Sequence, residues 1–338
     1  MHIENDVPLQ NLNTFGVAAA ARYFAEIPGA ESLREALTWA KGRDLRVIIL
    51  GGGSNILFTG YVDALVLRMT GRGIDVQDLG QGKRLISVAA GENWADLVWW
   101  AARAGYGGIE NLCLIPGTAG AAPVQNIGAY GAELADVCHS VTALNRLSFE
   151  EREFSPQECA FGYRHSIFKR HPDEWVITSI KLLLDEQAPL RTKYGALQGQ
   201  LEAMGKERPN FMDVAEAVAA IRRAKLPDPD DLGNAGSFFK NPTVPAALYE
   251  NLRAEHPNMP GFSQADGTVK LSAAWLLDTA GWKGKRSGRV GCYALQPLVL
   301  VNHGGADGGE ILEFSETIQA DIAERFDIRL EREAVVYP

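Results

Sequence analysis

The sequence of 338 residues is poor in cysteine and histidine, and neither residue type has the spacing of a metal or disulfide site. Its four cysteines stand far apart with no CxxC pair, and its six histidines show no HxxxH spacing. Structural zinc sites depend on such spacings, and disulfide-stabilised domains are small and rich in cysteine. We therefore predict neither a metal site nor a disulfide.

Long apolar runs and an excess of positive charge are also missing. No run approaches the ~18 apolar residues of a membrane helix, and the N-terminal MHIENDVPLQ lacks the basic and apolar regions of a signal peptide. Acidic side chains number 42 against 33 basic ones, and the formal charge of -9 disfavours binding to a phosphate backbone. These absences predict a cytoplasmic protein that binds neither membranes nor nucleic acid.

The hydrophobic pattern mixes helices and strands along the whole chain, which predicts an α+β protein. With 46% hydrophobic residues, the chain is long enough for two or three domains. Periodicity in the first part predicts helices at ESLREALTWAKGRD and NWADLVWWAARAG, and strands at RVIIL, ALVLRM and RLISVAA. Residues 137–184 are rich in strand patterns.

The pattern changes again near residue 200, where we place a domain boundary. A helix with Val214, Ala217, Val218 and Ile221 on one face is followed by the helix-stopping LPDPDD. Beyond it, the sequence predicts helices at about 245–257, 272–280 and 307–325, and strands at LVLVN and DIRLEREAVVY.

Two glycine-rich stretches are the strongest functional signals: ILGGGSN at 49–55 and IPGTAGAAPVQNIGAYG at 115–131. Glycine admits positive φ and close approach of backbone N–H groups to a ligand, so such loops often hold phosphates. GGGSNI lacks the third glycine of a Rossmann motif and leads into a strand, and GWKGKRSG lacks the first glycine of a Walker motif. The two loops suggest a long ligand such as a flavin dinucleotide, with two tight turns as the alternative.

Eight motifs in one order resemble the UDP-N-acetylenolpyruvoylglucosamine reductase family. They are NTFGV, GGGSN, IPGTAGAAPVQNIGAYG, FGYRHSIFK, KLPDP, GNAGSFFKNP, QADGTVKLSAAWLLD and LEREA. The resemblance implies an FAD-binding region of the vanillyl-alcohol-oxidase (PCMH) type over residues 1–200, in two subdomains that divide near residue 70. It also implies an α+β substrate-binding domain over 201–338, whose C-terminal strand returns toward the flavin site.

The activity implied by the resemblance is NADPH-dependent reduction of UDP-N-acetylglucosamine-enolpyruvate to UDP-N-acetylmuramate in peptidoglycan synthesis. Hydride transfer to the enol ether leaves an enolate that needs charge stabilisation and a proton. The resemblance assigns the proton to Ser237, the carboxylate contact to Arg164 and a third catalytic role to Glu333. Of the two glutamates in LEREA, only one is expected to face the site, and the motif selects Glu333 over Glu331.

The same resemblance assigns residues that bind FAD and substrate. We expect FAD to be bound non-covalently, because neither glycine-rich loop contains histidine or cysteine. Its FAD contacts are Gly51, Gly52, Gly53, Ser54, Asn55, Gly117, Gly120, Ala121, Ala122, Asn126, Gly128 and Arg223. Its substrate contacts are Tyr130, Lys225, Asn241, Gln296 and the mobile Tyr194, which in one branch of the family closes over bound nucleotide. Ala121 and Ala122 depart from the pattern, since many members carry serines there.

Two other functions remain open from the sequence. A sugar or aldonolactone oxidase on the same flavin fold would usually carry a histidine for covalent flavin attachment, which both loops lack. A nucleotide-binding module without catalytic activity would need only the two glycine-rich loops.

Overall fold

The computed structural model describes all 338 residues. The helices are α1 (Ala30–Lys41), α2 (Trp94–Ala104), α3 (Pro156–Cys159), α4 (Ile167–Arg170), α5 (Gly195–Ala203), α6 (Phe211–Lys225), α7 (Ala246–Glu255), α8 (Ala273–Thr279) and α9 (Gly308–Phe326). The strands are β1 (Glu4–Pro8), β2 (Ala20–Ile27), β3 (Val47–Leu50), β4 (Ile56–Phe58), β5 (Tyr61–Met69), β6 (Ile74–Gly80), β7 (Lys83–Ala89), β8 (Gly128–Ala129), β9 (Ala132–Glu133), β10 (Cys138–Asn145), β11 (Glu151–Phe154), β12 (Trp175–Asp185), β13 (Gly233–Ser237), β14 (Thr243–Pro245), β15 (Gly261–Ser263), β16 (Thr268–Leu271), β17 (Arg286–Ser287), β18 (Val290–Cys292), β19 (Val299–Asn302) and β20 (Val335–Tyr337). No helix combines the length and the apolar character needed to span a bilayer.

The chain divides into two compact units. Unit 1 comprises Met1–Val7, Ala21–Gly52 and Asp63–Ala224, and unit 2 comprises Pro8–Ala20, Gly53–Val62 and Lys225–Pro338. Helix α6 follows the predicted boundary near residue 200, but its apolar face is buried in the core of unit 1, so the division falls at the end of this helix. The two N-terminal pieces of unit 2 had no counterpart in the sequence pattern.

Two sheets form the framework of unit 1. One has the order β1-β2-β5-β3, with β3 parallel to β5, and the other has the antiparallel order β11-β10-β12-β7-β6. Helix α1 buries Leu33, Ala36, Leu37 and Ala40, the face that its periodicity predicted, in the core with the first sheet. The change of sheet lies between Met69 and Ile74, near the subdivision at about residue 70 that the resemblance implies.

Helix α2 shows how local signals set the ends of an element that leads to the glycine-rich loop. The Asn93 side chain accepts a hydrogen bond from the Asp96 amide, and Gly105 at φ 77° ends the helix. Leu97 and Val98 pack in the unit 1 core, each contributing about 1.5–3 kcal/mol by burial. The predicted helix is therefore confirmed at both ends.

Unit 2 contains a sheet of order β13-β19-β18-β17, a smaller sheet of order β14-β16-β15, and β20 paired in parallel with β4. Strand β19 is buried at every residue, as expected for the apolar LVLVN run. Helix α9 begins with a capping box between Asp307 and Glu310.

The C-terminal strand is shorter than the sequence predicted. DIRLEREAVVY reads as one strand, but regular pairing is confined to Val335–Tyr337, and before it the chain makes a single bridge from Arg332 to Phe239. The chain bends within LEREA, and the backbones of Glu331 and Glu333 bond to different residues, Lys240 and Phe238.

Candidate active site

The two glycine-rich loops meet backbone to backbone in unit 1. A Cβ on Gly51 would lie 2.7 Å from Thr118 Oγ1, and one on Gly52 would lie 2.9 Å from Gly117 Cα. The Thr118 side chain could move aside, but the Gly117 backbone could not, so glycine is required at Gly52 for the loops to approach. The contact supports the prediction that both loops serve one ligand.

Interior contacts hold the second loop against the strand and helix beneath it. The amide of Gly120 donates to the carbonyl of Ala90 at 2.8 Å, and the amide of Trp94 donates to the carbonyl of Gly117 at 3.1 Å. Ala122 is buried in the core, whereas Ala121 is exposed. The Ala122 side chain therefore packs beneath the loop, and any contact of Ala122 with the ligand would be made by its backbone.

Asn126 has its side chain committed to the scaffold. Its Nδ2 donates to Glu133 at 2.8 Å and to the carbonyl of Gly162 at 3.3 Å, and its Oδ1 accepts from the Ala135 amide at 2.9 Å. The residue is buried at φ 45°. Asn126 therefore shapes the loop that ends in Gly128, and it connects this loop to the segment that carries Arg164.

Arg164 lies in a tight two-residue turn of unit 1. The amide and carbonyl groups of Gly162 and His165 exchange hydrogen bonds of 3.0 and 3.1 Å, and Arg164 between them has φ 51°. Tyr130, on the second glycine-rich loop, has φ 49°. Left-handed backbone at bulky residues costs free energy and is concentrated at functional sites. The predicted roles of both residues fit this pattern.

Positive charge gathers around Tyr130. Desolvation lowers the pKa of Arg222, and the nearby charge of Arg164 lowers it further, while Tyr130 and Cys113 act in the opposite direction. Desolvation also raises the pKa of the Tyr130 phenol, against the effect of Arg222. These effects indicate that Arg222 lies near both Tyr130 and Arg164 in unit 1.

The resemblance assigned an FAD contact to Arg223, and its neighbour Arg222 has a different setting in the structure. Arg223 is exposed at the end of α6, whereas Arg222 is partly buried. The signal was present in the sequence: Arg222 follows Val214 and Val218 at helical spacing, so it continues the buried face of the helix. Of the two arginines, Arg222 is the one directed to the interior.

Ser237 is positioned by a β-bulge in unit 2. Between β13 and β19, Asn234 pairs with Val301 and Ser237 pairs with Val299, so the β13 side has one extra residue. Gly236 adopts φ 66° within the bulge, and its amide donates to the Asn234 side chain at 3.0 Å. A bulge turns a side chain away from the regular alternation of the strand. The bulge thus sets the direction of Ser237, which is partly buried.

Glu333 lies beside the Ser237 segment. Its amide donates to the carbonyl of Phe238 at 2.7 Å, and its own carbonyl accepts from Asn55 Nδ2 at 3.2 Å. Glu333 is buried, whereas Glu331 is exposed and paired with Lys240 at 2.7 Å. The two glutamates therefore differ in setting, although residues two apart on a regular strand share a face, because this segment makes only a single bridge.

Two predicted substrate contacts adjoin the same part of unit 2. The carbonyl of Leu298 accepts from the Phe238 amide at 2.8 Å, and Gln296 lies in the turn that leads into it. Asn241 accepts a hydrogen bond from the Ala273 amide at 3.0 Å at the start of α8. Ser237, Glu333 and Gln296 are thus brought together through backbone pairing.

The remaining predicted residues lie at chain connections. Gly53, at φ 65°, leaves no room for a side chain, since a Cβ would lie 2.0 Å from the Leu12 carbonyl oxygen. Ser54 and Asn55 lead from this turn into β4. Lys225 is exposed at the end of α6.

The residues present fit a flavin dinucleotide. The loops at Gly51–Gly52 and Gly117–Thr118 bring backbone into close range, and Arg222 with Arg164 supplies positive charge in unit 1. Cys113 is buried just outside the second loop, and desolvation raises the pKa of its thiol to about 11. It is therefore held as an unreactive thiol.

Comparison with known proteins identifies two regions. Residues 22–147 match the model of an FAD binding domain, and residues 228–337 match that of the C-terminal domain of UDP-N-acetylenolpyruvoylglucosamine reductase. The chain thus contains an FAD-binding domain within an α+β fold.

Relatives with the same name match along their full length. Reductases of Pseudomonas syringae pv. tomato and Pseudomonas aeruginosa are each 48% identical and cover 100% of this chain and 99% of their own. The reductase of Azoarcus is 44% identical, over 98% of this chain and 97% of its own. The crystal structure of the Thermus caldophilus reductase matches with a TM-score of 0.70 at 26% identity, covering 100% of both chains.

Proposed function

Because the chain belongs to the UDP-N-acetylenolpyruvoylglucosamine reductase family, we propose that it reduces the enolpyruvyl ether of UDP-N-acetylglucosamine-enolpyruvate, with NADPH as reductant and non-covalent FAD. The product is UDP-N-acetylmuramate, a precursor of peptidoglycan. Full-length relatives named as reductases favour this reading over a sugar oxidase or a binding module.

Gly51, Gly52 and Gly117, together with the backbone at Gly120, Ala121 and Gly128, would hold FAD in unit 1. When bound, FAD supplies the hydride that reaches the terminal carbon of the enol ether. Arg222 would offer its charge near this group, and we propose it in place of Arg223 because it is the arginine that faces the interior.

Arg164 is proposed to bind the substrate carboxylate. Negative charge spreads from the reacting carbon into this carboxylate during the reaction, and a guanidinium can meet it with two parallel hydrogen bonds. The positive φ of Arg164 supports a function, since its turn holds the residue in a conformation that costs free energy.

Ser237 is proposed to donate the proton to the neighbouring carbon, with Glu333 close by to polarise the intermediate or to hold a water. The observation that carries this proposal is the pairing of the buried Glu333 with Phe238, directly after Ser237. Lys225, Asn241 and Gln296 would bind the UDP-sugar.

Anaerobic stopped-flow absorbance tests the function. NADPH should bleach the bound flavin, and colour should return only after addition of the enolpyruvyl substrate. Return of colour with oxygen alone at a similar rate would favour an oxidase. A colourless protein that cannot be reconstituted with FAD would contradict the proposal entirely.

A further inference from the structure

Asn111 is a buried carboxamide that connects the segments of Tyr130 and Tyr194 in unit 1. It lies in the 3-10 turn Glu110–Leu112 and is 1% exposed. Its Nδ2 donates to the carbonyl oxygens of Tyr130 and Arg191, both at 2.9 Å. The NH2 group of one side chain therefore joins two segments that are distant in sequence.

Arg191 makes a second connection between the same segments. Its Nη1 donates to the carbonyl of Gly131 at 3.1 Å and forms an ion pair with Asp136. This pair is partly exposed and contributes less than the hydrogen bonds from the buried Asn111 side chain. Arg191 is thus held through both its backbone and its side chain.

Only Thr192 and Lys193 separate Arg191 from Tyr194. After Tyr194 the chain enters α5, which is anchored in the core by Leu197 and Leu201. Tyr194 itself is 54% exposed, and its ring meets that of Tyr130 edge to face, with centroids 5.6 Å apart. The segment 192–194 is therefore held at both of its ends.

We propose that Asn111 is a positioning residue that fixes the start of this segment, so that Tyr194 reaches the Tyr130 side of the substrate site. The inference rests on the proposed function and on the substrate contact that the resemblance implies for Tyr194. A mobile tyrosine binds effectively only when its neighbours limit the positions it can take, because ordering a loop costs conformational entropy. Asn111 reduces that cost without touching the substrate.

The test uses Asn111→Ala in the FAD-loaded protein. Hydrogen exchange measured by mass spectrometry without substrate should accelerate in peptides that span 190–196, while peptides of the β10 and β12 strands keep their rates. KM for UDP-N-acetylglucosamine-enolpyruvate should rise about fivefold to tenfold, as expected when the hydrogen bond that holds the Arg191 carbonyl is lost, with kcat unchanged within about twofold.

Arg191→Gln provides a second variant at the surface, where folding is not at risk, and it should show the same effects more weakly. Arg152→Gln is the matched control, because it removes another exposed arginine–carboxylate pair, that with Glu158, and should change neither measurement. If Asn111→Ala does not fold, hydrogen exchange over 190–196 and KM measured on Arg191→Gln test the inference instead.

Unchanged exchange over 190–196 would overturn the inference whatever the enzyme does. Faster exchange with an unchanged KM would also overturn it, and would leave the proposed reaction standing. A wild-type protein that fails to turn over the enolpyruvyl substrate would instead refute the proposed function, and with it the assignment of Asn111 to substrate positioning.

Discussion

Ser237 is an uncharged donor, and an uncharged donor is sufficient for the chemistry proposed. The carbon left after hydride transfer is strongly basic and takes a proton from a hydroxyl that lies close enough. Oxidation of NADPH needs no such proton. The effect of Ser237 should therefore be confined to the half-reaction with the enolpyruvyl substrate.

Ser237→Ala should leave FAD binding and flavin reduction by NADPH close to wild type. Reoxidation by the enolpyruvyl substrate should slow by about 10² to 10⁴-fold, the range of a lost general acid. Ser237→Cys should recover part of the rate, since a thiol also donates a proton from a similar place. Stopped-flow absorbance of the two half-reactions measures each effect separately.

Equal slowing of both half-reactions would show that Ser237 is a structural loop residue. No slowing of either would mean that the proton comes from another group.

The two glutamates of LEREA form a natural pair for comparison. Glu333→Gln should slow reoxidation by about 10²-fold, the typical loss when one electrostatic contact to a developing charge is removed. Glu331→Gln should stay within about twofold, because exposed ion pairs such as that with Lys240 contribute little. The same stopped-flow traces check both variants, and an inverted order would exclude Glu333 from the reaction.

At the scale of elements, the bulge between β13 and β19 matters more than the strands themselves. Two glycines of GNAGSFFKNP have separate structural reasons. A Cβ on Gly233 would lie 2.3 Å from the Phe15 carbonyl oxygen, and Gly236 needs positive φ. The two glycines therefore allow the close approach to Phe15 and the bulge, and Ser237 follows directly after the bulge.

Gly236→Ala should both destabilise the protein and reduce kcat. No atom lies within 4 Å of the added Cβ, so the cost comes from the backbone conformation alone, about 1 kcal/mol. Gly281→Ala is the matched control, since Gly281 also has positive φ and open space in unit 2. Thermal unfolding should show similar losses for both variants, whereas only Gly236→Ala should lower kcat. Equal kcat values would show that the bulge does not direct Ser237.

At the scale of the whole molecule, FAD should be held without a covalent bond. Neither glycine-rich loop contains histidine or cysteine, and the nearest cysteine along the chain, Cys113, is buried as a neutral thiol. Acid precipitation of the FAD-loaded protein should release all yellow colour into the supernatant. Absorbance of the pellet and of the supernatant measures this, and colour that stays with the pellet would contradict the expectation.

The sequence was sufficient for features that depend on local periodicity and on ordered motifs. Helices α1 and α2, the strand after GGGSN and the α+β class follow from apolar spacing, from caps such as Asn93 and from glycines such as Gly105. The family follows from eight motifs in order, whose combined specificity exceeds that of any single loop.

Contacts between distant residues were decided by the tertiary structure alone. Periodicity assigns a face but not a partner, so it did not show that two N-terminal pieces join unit 2 or that α6 belongs to unit 1. The bulge before Ser237 depends on pairing with β19, and the short C-terminal strand depends on parallel pairing with β4. Asn111 gave no signal in the sequence, because its role arises only when Tyr130 and Arg191 lie within hydrogen-bonding distance of one side chain.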